Sequence, residues 1–204
     1  MTFGLVKHNN NSISAITSAG QLAQGKMTLL QTQTASSSAS ISFTSNIDST
    51  YPIYIFKFIN IHPATDGAEF TINFSTDSGS NYNVAKTTTF FAAYHAEADN
   101  SAGITYISSL DLAQGTGGAN IFYNVGNGND ESASGTLHLF NPSSTTFVKH
   151  FMSTFNVYNN GDNSVQVNAA GYGNTTSAID GVQFAMSSGN IDSGTIKLYG
   201  IKGS

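Results

Sequence analysis

The fold is decided by residues 51–61, which read Tyr51-Pro52-Ile53-Tyr54-Ile55-Phe56-Lys57-Phe58-Ile59-Asn60-Ile61. With the two-residue period of a β-strand, one face carries Ile53, Ile55, Lys57, Ile59 and Ile61. The opposite face carries Tyr54, Phe56 and Phe58. Both faces are largely apolar, so the stretch predicts a central strand that is covered on both sides.

Shorter segments with the same two-residue alternation lie on both sides of this strand along the chain. Phe70, Ile72 and Phe74, for example, alternate with polar residues. Residues 84–98 fit either a strand or a strand that bends into a short helix. The other predicted strands cover residues 27–34, 38–44, 104–110, 121–125, 136–140, 147–158, 164–172, 182–186 and 195–201.

The connections between these segments are rich in Gly, Asn and Asp, which favour turns. About ten short strands without helix–strand alternation predict an all-β chain. We expect a single antiparallel jelly-roll-type β-sandwich over residues 26–204, preceded by an N-terminal extended arm of residues 1–25. That arm is polar and small-residue rich, so it fits either a flexible tail or a segment that orders against a neighbouring subunit.

The composition excludes several classes of protein. The chain has 204 residues, seven lysines, no arginine and no cysteine, and its net charge is −5. A nucleic-acid-binding protein needs clustered basic side chains, so no nucleic-acid partner is expected. The absence of cysteine excludes a disulfide scaffold and a cysteine nucleophile. No stretch approaches the roughly 18 apolar residues of a membrane-spanning helix, so no membrane insertion or targeting segment is expected.

Motifs for catalysis or metal binding are missing from the sequence. The five histidines lie far apart, without a metal-binding spacing; they are His8, His62, His95, His138 and His150. The loops 127–131 and 159–163 cluster Asn, Asp and Gly, which fits turns better than a calcium site. We therefore expect no enzyme activity, no metal and no cofactor.

Tyrosines near predicted loops suggest a binding role. Tyr82, Tyr106, Tyr123 and Tyr172 could stack on sugar rings, so they are the candidate glycan-contact residues. They could equally close the ends of the sandwich as ordinary packing residues.

The C-terminal stretch, Ser187-Ser188-Gly189-Asn190-Ile191-Asp192-Ser193-Gly194-Thr195-Ile196-Lys197-Leu198-Tyr199-Gly200-Ile201, resembles a known family. It is similar to the closing motif of small β-sandwich virion proteins from tailed, particularly marine, bacteriophages. Further segments resemble earlier strands and turns of the same modules; they are residues 47–51, 54–56, 60–61 and 74–82. The resemblance extends over residues 27–204 and implies no catalytic residues.

The resemblance implies a non-enzymatic structural protein on the exterior of a tailed phage particle. We expect it to be tail-associated, as a fibre or adhesin-like host-facing component, and assembled into the virion in the host cytoplasm. The alternatives are a capsid decoration or cement protein and a carbohydrate-binding module. The expected partners are other copies of itself in a homo-oligomer, other virion proteins and a host surface glycan. A hydrolase is the remaining hypothesis, and it requires a pocket that holds two carboxylates, or a carboxylate and a histidine within hydrogen-bond reach.

Overall fold

A computed structural model describes residues 27–202 as twelve β-strands and one short 3-10 helix, Ser108–Leu110. The predicted N-terminal arm, residues 1–25, lies outside the described residues. No helix within residues 27–202 is long and apolar enough to span a membrane. The strands are β1 (Met27–Ser38), β2 (Ile41–Phe43), β3 (Ile53–Pro63), β4 (Ala68–Ser75), β5 (Lys86–Ala96), β6 (Ala102–Tyr106), β7 (Ala119–Val125), β8 (Ala133–Phe140), β9 (Lys149–Asn159), β10 (Asn163–Gly173), β11 (Gly181–Met186) and β12 (Ile191–Ile201).

All strand pairs are antiparallel and belong to one continuous sheet, so the all-β prediction is confirmed. Eight strands, called here the large sheet, lie in the order β1-β12-β3-β8-β9-β10-β5-β6. Four strands, called the small sheet, lie in the order β2-β11-β4-β7. The two join at a single pair, Val125 with Asn159, and the whole forms a nearly closed, barrel-like shape.

The core lies between the large and small sheets and is rich in phenylalanine. Phe184 on β11 is fully buried, and its ring lies 5.1 Å from that of Phe56 and 5.0 Å from that of Phe58 on β3. Phe43 and Phe70 complete the group around it. These edge-on and stacked contacts tie the small sheet to the large one.

Strand β3 is central in its sheet, with β12 and β8 as its neighbours. The expectation that both of its faces are covered holds at Ile55, which is 7% exposed on the outer face, but not at Ile59. Tyr54, Phe56 and Phe58 point into the core, whereas Ile59 on the opposite face is 43% exposed. Alternation identifies the two faces of a strand, but only the tertiary structure decides what covers each of them.

The predicted position of Ile61 on the same face as Ile53 is also wrong, because a β-bulge intervenes. Asn60 has a φ of 49°, and the register with β8 shifts between Phe58 and Ile61. The extra residue turns Ile61 inward, where it is fully buried.

Residues 84–98, which fitted either a strand or a strand with a helical end, form the uninterrupted strand β5. Its inward side carries Phe90 and Ala92, and its outward side carries Phe91 and Ala93. The predicted strand at 104–110 ends at Tyr106, where the 3-10 helix follows. Leu110 of that helix is buried, so the segment closes over the core.

Candidate functional site

The outer face of the large sheet carries an unusual amount of exposed apolar side chain. Within residues 27–202, every large apolar side chain that is clearly exposed belongs to this sheet or to the loop that leads into β9. These residues are Met27, Leu29, Ile59, Phe91, Ile104, Tyr106, Phe147 and Met152. Clustered apolar exposure of this kind marks a binding or assembly surface.

Strand register places three of these side chains, Met27, Leu29 and Met152, in two rows that cross the sheet among mostly half-buried residues and the buried Ile55. The first row is continuous over seven strands and reads Leu29, Tyr199, Ile55, His138, Met152, Ala170 and Thr89. The second row lies beside it and contains Met27, Ile201, Ile53 and Phe140, followed by His150, Tyr172 and Thr87. These two rows are called here the outer apolar face.

Two shallow hollows lie side by side on the outer apolar face. One has a volume of about 420 Å³ and reaches from Phe140 and His150 to Tyr172 and Thr87. The other has about 450 Å³ and extends to Phe91 on β5. Three side chains line both hollows, namely Phe140, Met152 and Ala170. The surface is therefore grooved rather than flat.

Charge is nearly absent from the two rows, which contain no Asp or Glu. The charged groups at their border are Lys57 and Lys197, which pair with each other on β3 and β12. The ammonium of Lys57 lies 5.6 Å from the centre of the Tyr199 ring, a cation–π contact. A partner would therefore be bound by shape and apolar contact more than by charge.

The small sheet has the opposite character on its outer face. Its outward positions include Ser42, Thr71 and Gln183. These polar side chains hydrogen-bond to one another and to the backbone. Gln183 donates to the Ser42 hydroxyl at 3.1 Å, and Thr71 donates to the Ala185 carbonyl at 3.1 Å. This polar face is suited to water, so the apolar surface of the large sheet is a local feature.

The four candidate tyrosines separate into two pairs. Tyr106 and Tyr172 lie on the outer side of the large sheet, and Tyr106 is 55% exposed. The Tyr106 hydroxyl donates a hydrogen bond to the Asp111 carboxylate, and this bond raises the pKa of Tyr106. The structure brings these two to the groove region.

The other two tyrosines lie elsewhere. The Tyr123 ring packs edge-on against buried Phe90 at 5.5 Å, and burial raises the pKa of its hydroxyl. Tyr82 is half-buried, and its hydroxyl is enclosed against Gly79. For these two positions the packing alternative describes what the structure contains.

Sequence reasoning missed the apolar side chains that form most of the groove. Phe91 follows Phe90 directly, so the pair must point to opposite sides of β5. Met152 lies between His150 and Thr154 on the outward side of β9. The strict alternation along β9 was the signal that could have identified Met152. Met152 is the apolar member of an otherwise polar outward series, so its side chain points away from the core.

A third hollow differs from the two on the outer apolar face because it is polar. It has a volume of about 570 Å³ and lies at the end of the barrel near the β7–β8 and β11–β12 turns. It contains His62, Asp192 and Glu131. His62 Nε2 lies 3.0 Å from the Gly128 carbonyl, and its Nδ1 lies 3.7 Å from Asp192, beyond hydrogen-bond length. Glu131 accepts a hydrogen bond from the Gly128 amide. These side chains therefore fix the loop 126–131.

No group of three His, Asp or Glu side chains within residues 27–202 is placed to hold a metal ion. In the loop 159–163, the Asn159 side chain accepts from the amides of Gly161 at 3.1 Å and Asn163 at 3.0 Å. The side-chain oxygen that a cation would need is thus committed to the turn.

Two lysines are buried at the other end of the barrel. Lys86 on β5 and Lys149 on β9 both pair with Gly173 on β10, which lies between them. Lys86 donates to Asn73 Oδ1 at 2.6 Å and to the Val84 carbonyl at 2.7 Å, and burial lowers its pKa to about 8. Lys149 donates to the carbonyls of Phe147 and Thr175 at 2.8 and 3.0 Å. Burial lowers the pKa of Lys149 as well.

These lysines act on the loops rather than on a ligand. Neither has a carboxylate among its hydrogen-bond partners, and each ammonium group donates to two oxygen acceptors. Lys149 holds the carbonyl of exposed Phe147 and thereby fixes the loop at the corner of the outer apolar face. No protein family model and no curated protein matches this chain.

Proposed function

We propose that this chain is a non-enzymatic structural protein on the exterior of a tailed phage particle. The observation that supports it is that, within residues 27–202, the exposed large apolar side chains belong to the large sheet or to the loop that leads into β9. Such a face suits permanent packing against other subunits. His62 and Glu131 hydrogen-bond to the loop 126–131, and the two buried lysines donate to oxygen acceptors, so these groups support a structural role.

The strand order supports a jelly-roll interpretation of the fold. A jelly roll has eight strands, conventionally B to I, in two sheets ordered B-I-D-G and C-H-E-F. With β2 as B and β11 as I, the small sheet order β2-β11-β4-β7 reads B-I-D-G. The large sheet reads C-H-E-F if the meander β8-β9-β10 replaces strand H. In this proposal β12 and β1 are additions beside strand C.

The position we propose on the particle is the tail, as a fibre or adhesin-like component. The support is the resemblance of residues 187–201 to the closing motif of phage virion modules. The alternative is a capsid decoration protein, which would use the same face against the shell. In both cases the virion is the proposed location, and other copies and virion proteins are the proposed partners.

Localisation in purified particles tests the proposal. Particles released from the phage that encodes the chain are banded by density and analysed by mass spectrometry and antibody labelling. We expect a fixed copy number per particle, with label at the tail. Label on the shell would favour decoration, and absence from intact particles would overturn the proposal.

A carbohydrate-binding module is the second candidate, because the groove combines rings with uncharged hydrogen-bonding groups. Phe91 and Tyr172 border it, with Thr87, Thr89 and Asn168 between them. Rings stack on sugars, while hydroxyls and amides bond to their hydroxyl groups. A glycan array on the full chain tests it: Tyr172→Ala should abolish binding, whereas Tyr158→Ala, outside the groove, should not. Equal binding by both variants would contradict this candidate.

A further inference from the structure

We infer that the outer apolar face is a self-association surface on which a second copy of the chain docks face to face about a two-fold axis. The inference rests on the proposed structural role and names the surface that fulfils it. Its support comes from the dimensions of the face, from the placement of charge around it and from the contrast with the small sheet.

The dimensions match a subunit contact rather than a small-ligand site. The first row crosses seven strands, and neighbouring strands lie about 4.8 Å apart, so the row is roughly 29 Å long. Together with the second row and the adjacent Phe91 and Tyr106, the face is about 20 Å wide. That is on the order of 600 Å² per copy, near the roughly 800 Å² per partner of a specific protein interface.

The corners of the face extend the contact. Phe147 is 69% exposed in the loop before β9, and Ile104 is 80% exposed on the edge strand β6. Phe147 lines a hollow together with Phe140 and His150, and Ile104 lies two residues from Tyr106 on the same side of β6. A lone sugar ring or short peptide in the groove would leave these side chains, and Leu29 on β1, in water.

Charge disfavours orientations that bring the lysines of the two copies together. Lys57 and Lys197 border the first row on the side away from the second row. A two-fold axis that runs along the rows places these lysines at opposite borders of the interface. An axis parallel to the strands that passes between β3 and β12 would place lysine against lysine, which like-charge repulsion disfavours. With the axis along the rows, β9 of one copy lies over β9 of the other and runs in the opposite direction. Met152 and His150 then lie near the axis.

A single charge at the centre of the face provides the first test. Sedimentation equilibrium of the full chain over a concentration series should show a mass rising from 21.4 kDa toward twice that value. Met152→Glu should weaken association at least tenfold, because a carboxylate would be buried without a partner. Gln183→Glu, the matched change on the small sheet, should associate as the unmodified chain does.

Cross-linking provides the second test and does not depend on tolerance of a buried charge. Since the chain has no cysteine, Met152→Cys introduces a unique thiol. A short bis-maleimide should join two Met152→Cys chains into a dimer, whereas Gln183→Cys chains should stay single.

Three results would overturn the inference. One is a chain that remains monomeric at every concentration. Another is a Met152→Cys thiol that stays unreactive in the monomer, because this would place the chain's own residues 1–26 on the face. The third is dimerisation that Met152→Glu leaves intact. The particle test is separate. If the chain forms dimers but is missing from particles, only the proposed function is overturned. If the chain is present in particles as a monomer, only this inference is overturned.

Discussion

Phe91 on β5 and Tyr106 on β6 lie directly opposite each other on the outer side of the large sheet, and both are about half exposed. A cross-strand aromatic pair contributes about 0.2–1 kcal/mol to sheet stability, so it does not need this much exposed ring surface. The pair ends a row whose other members are Thr, Asn and Lys. Its position beside Met152 and Ala170 makes it the continuation of the outer apolar face.

Replacement of this pair should separate association from folding. Phe91→Ser with Tyr106→Ser removes ring surface that faces water in the single chain, so we expect the unfolding free energy to fall by no more than about 1 kcal/mol. Self-association should weaken severalfold in sedimentation. A large loss of stability with unchanged association would mean that the rings belong to the fold and not to an interface.

Phe184 should be among the most sensitive positions in the core. Phe184→Ala removes a fully buried ring that contacts β3 from the small sheet, so a loss of about 3–5 kcal/mol is expected in urea unfolding. Phe147→Ala removes the same side chain from an exposed position and should change stability by less than about 0.5 kcal/mol. Similar losses in both variants would contradict the assignment of core and surface.

Gly194 should tolerate no side chain. Its φ is 125°, and a Cβ there would lie 2.7 Å from the Asn60 carbonyl oxygen at the bulge of β3. We expect Gly194→Ala to lower stability by about 2 kcal/mol or more. Gly117→Ala is the matched control, since a Cβ at Gly117 meets nothing within 4 Å. If thermal unfolding gave the same melting temperature for both variants, this would contradict the bulge geometry.

Lys86 should make stability rise with pH in mildly alkaline solution. Its pKa is about 8 in the folded chain and near 10.5 when unfolded, so the unfolded state binds more protons between these values. The cost of burying the charge is fully present below pH 8 and is relieved as pH rises. From pH 7.5 to 9.5 we expect a gain of about 2 kcal/mol relative to Lys86→Met.

The comparison with Lys86→Met cancels the contribution of the tyrosines, which both chains share. Burial raises the pKa of Tyr54, so tyrosine ionisation in the unfolded chain lowers stability only at higher pH. Urea unfolding at the two pH values provides the measurement. Parallel pH profiles of the two chains would show that Lys86 keeps its ordinary pKa in the fold.

Local patterns were sufficient to predict the strands but insufficient to predict the covered faces. Alternation in residues 51–61 identified β3 and the inward set of Tyr54, Phe56 and Phe58. It failed at Ile61, because a bulge at Asn60 depends on the opposing Gly194 rather than on the local sequence. The outer isoleucines predicted a second covered side, and in the single chain Ile55 is buried whereas Ile59 is 43% exposed.

The candidate site was predictable only in part for a related reason. Tyr106 and Tyr172 were found because tyrosines near loops are conspicuous, and both lie on the outer side of the large sheet. Met152, Phe91 and Phe140 come from three different strands, and the pairing of those strands brings them together. Sequence reasoning without strand order has no access to that pairing.

The accessibility of Met152 in the associated state tests the central claim most directly. Met152 is 57% exposed in the single chain, whereas Met186 is 7% exposed and acts as an internal reference. Peroxide oxidation followed by peptide mass spectrometry compares the two in dilute and concentrated protein. We predict that Met152 oxidises readily when dilute and is protected severalfold when concentrated, while Met186 stays slow throughout. Equal oxidation of Met152 at both concentrations, in a sample that sedimentation shows to be associated, would contradict the claim.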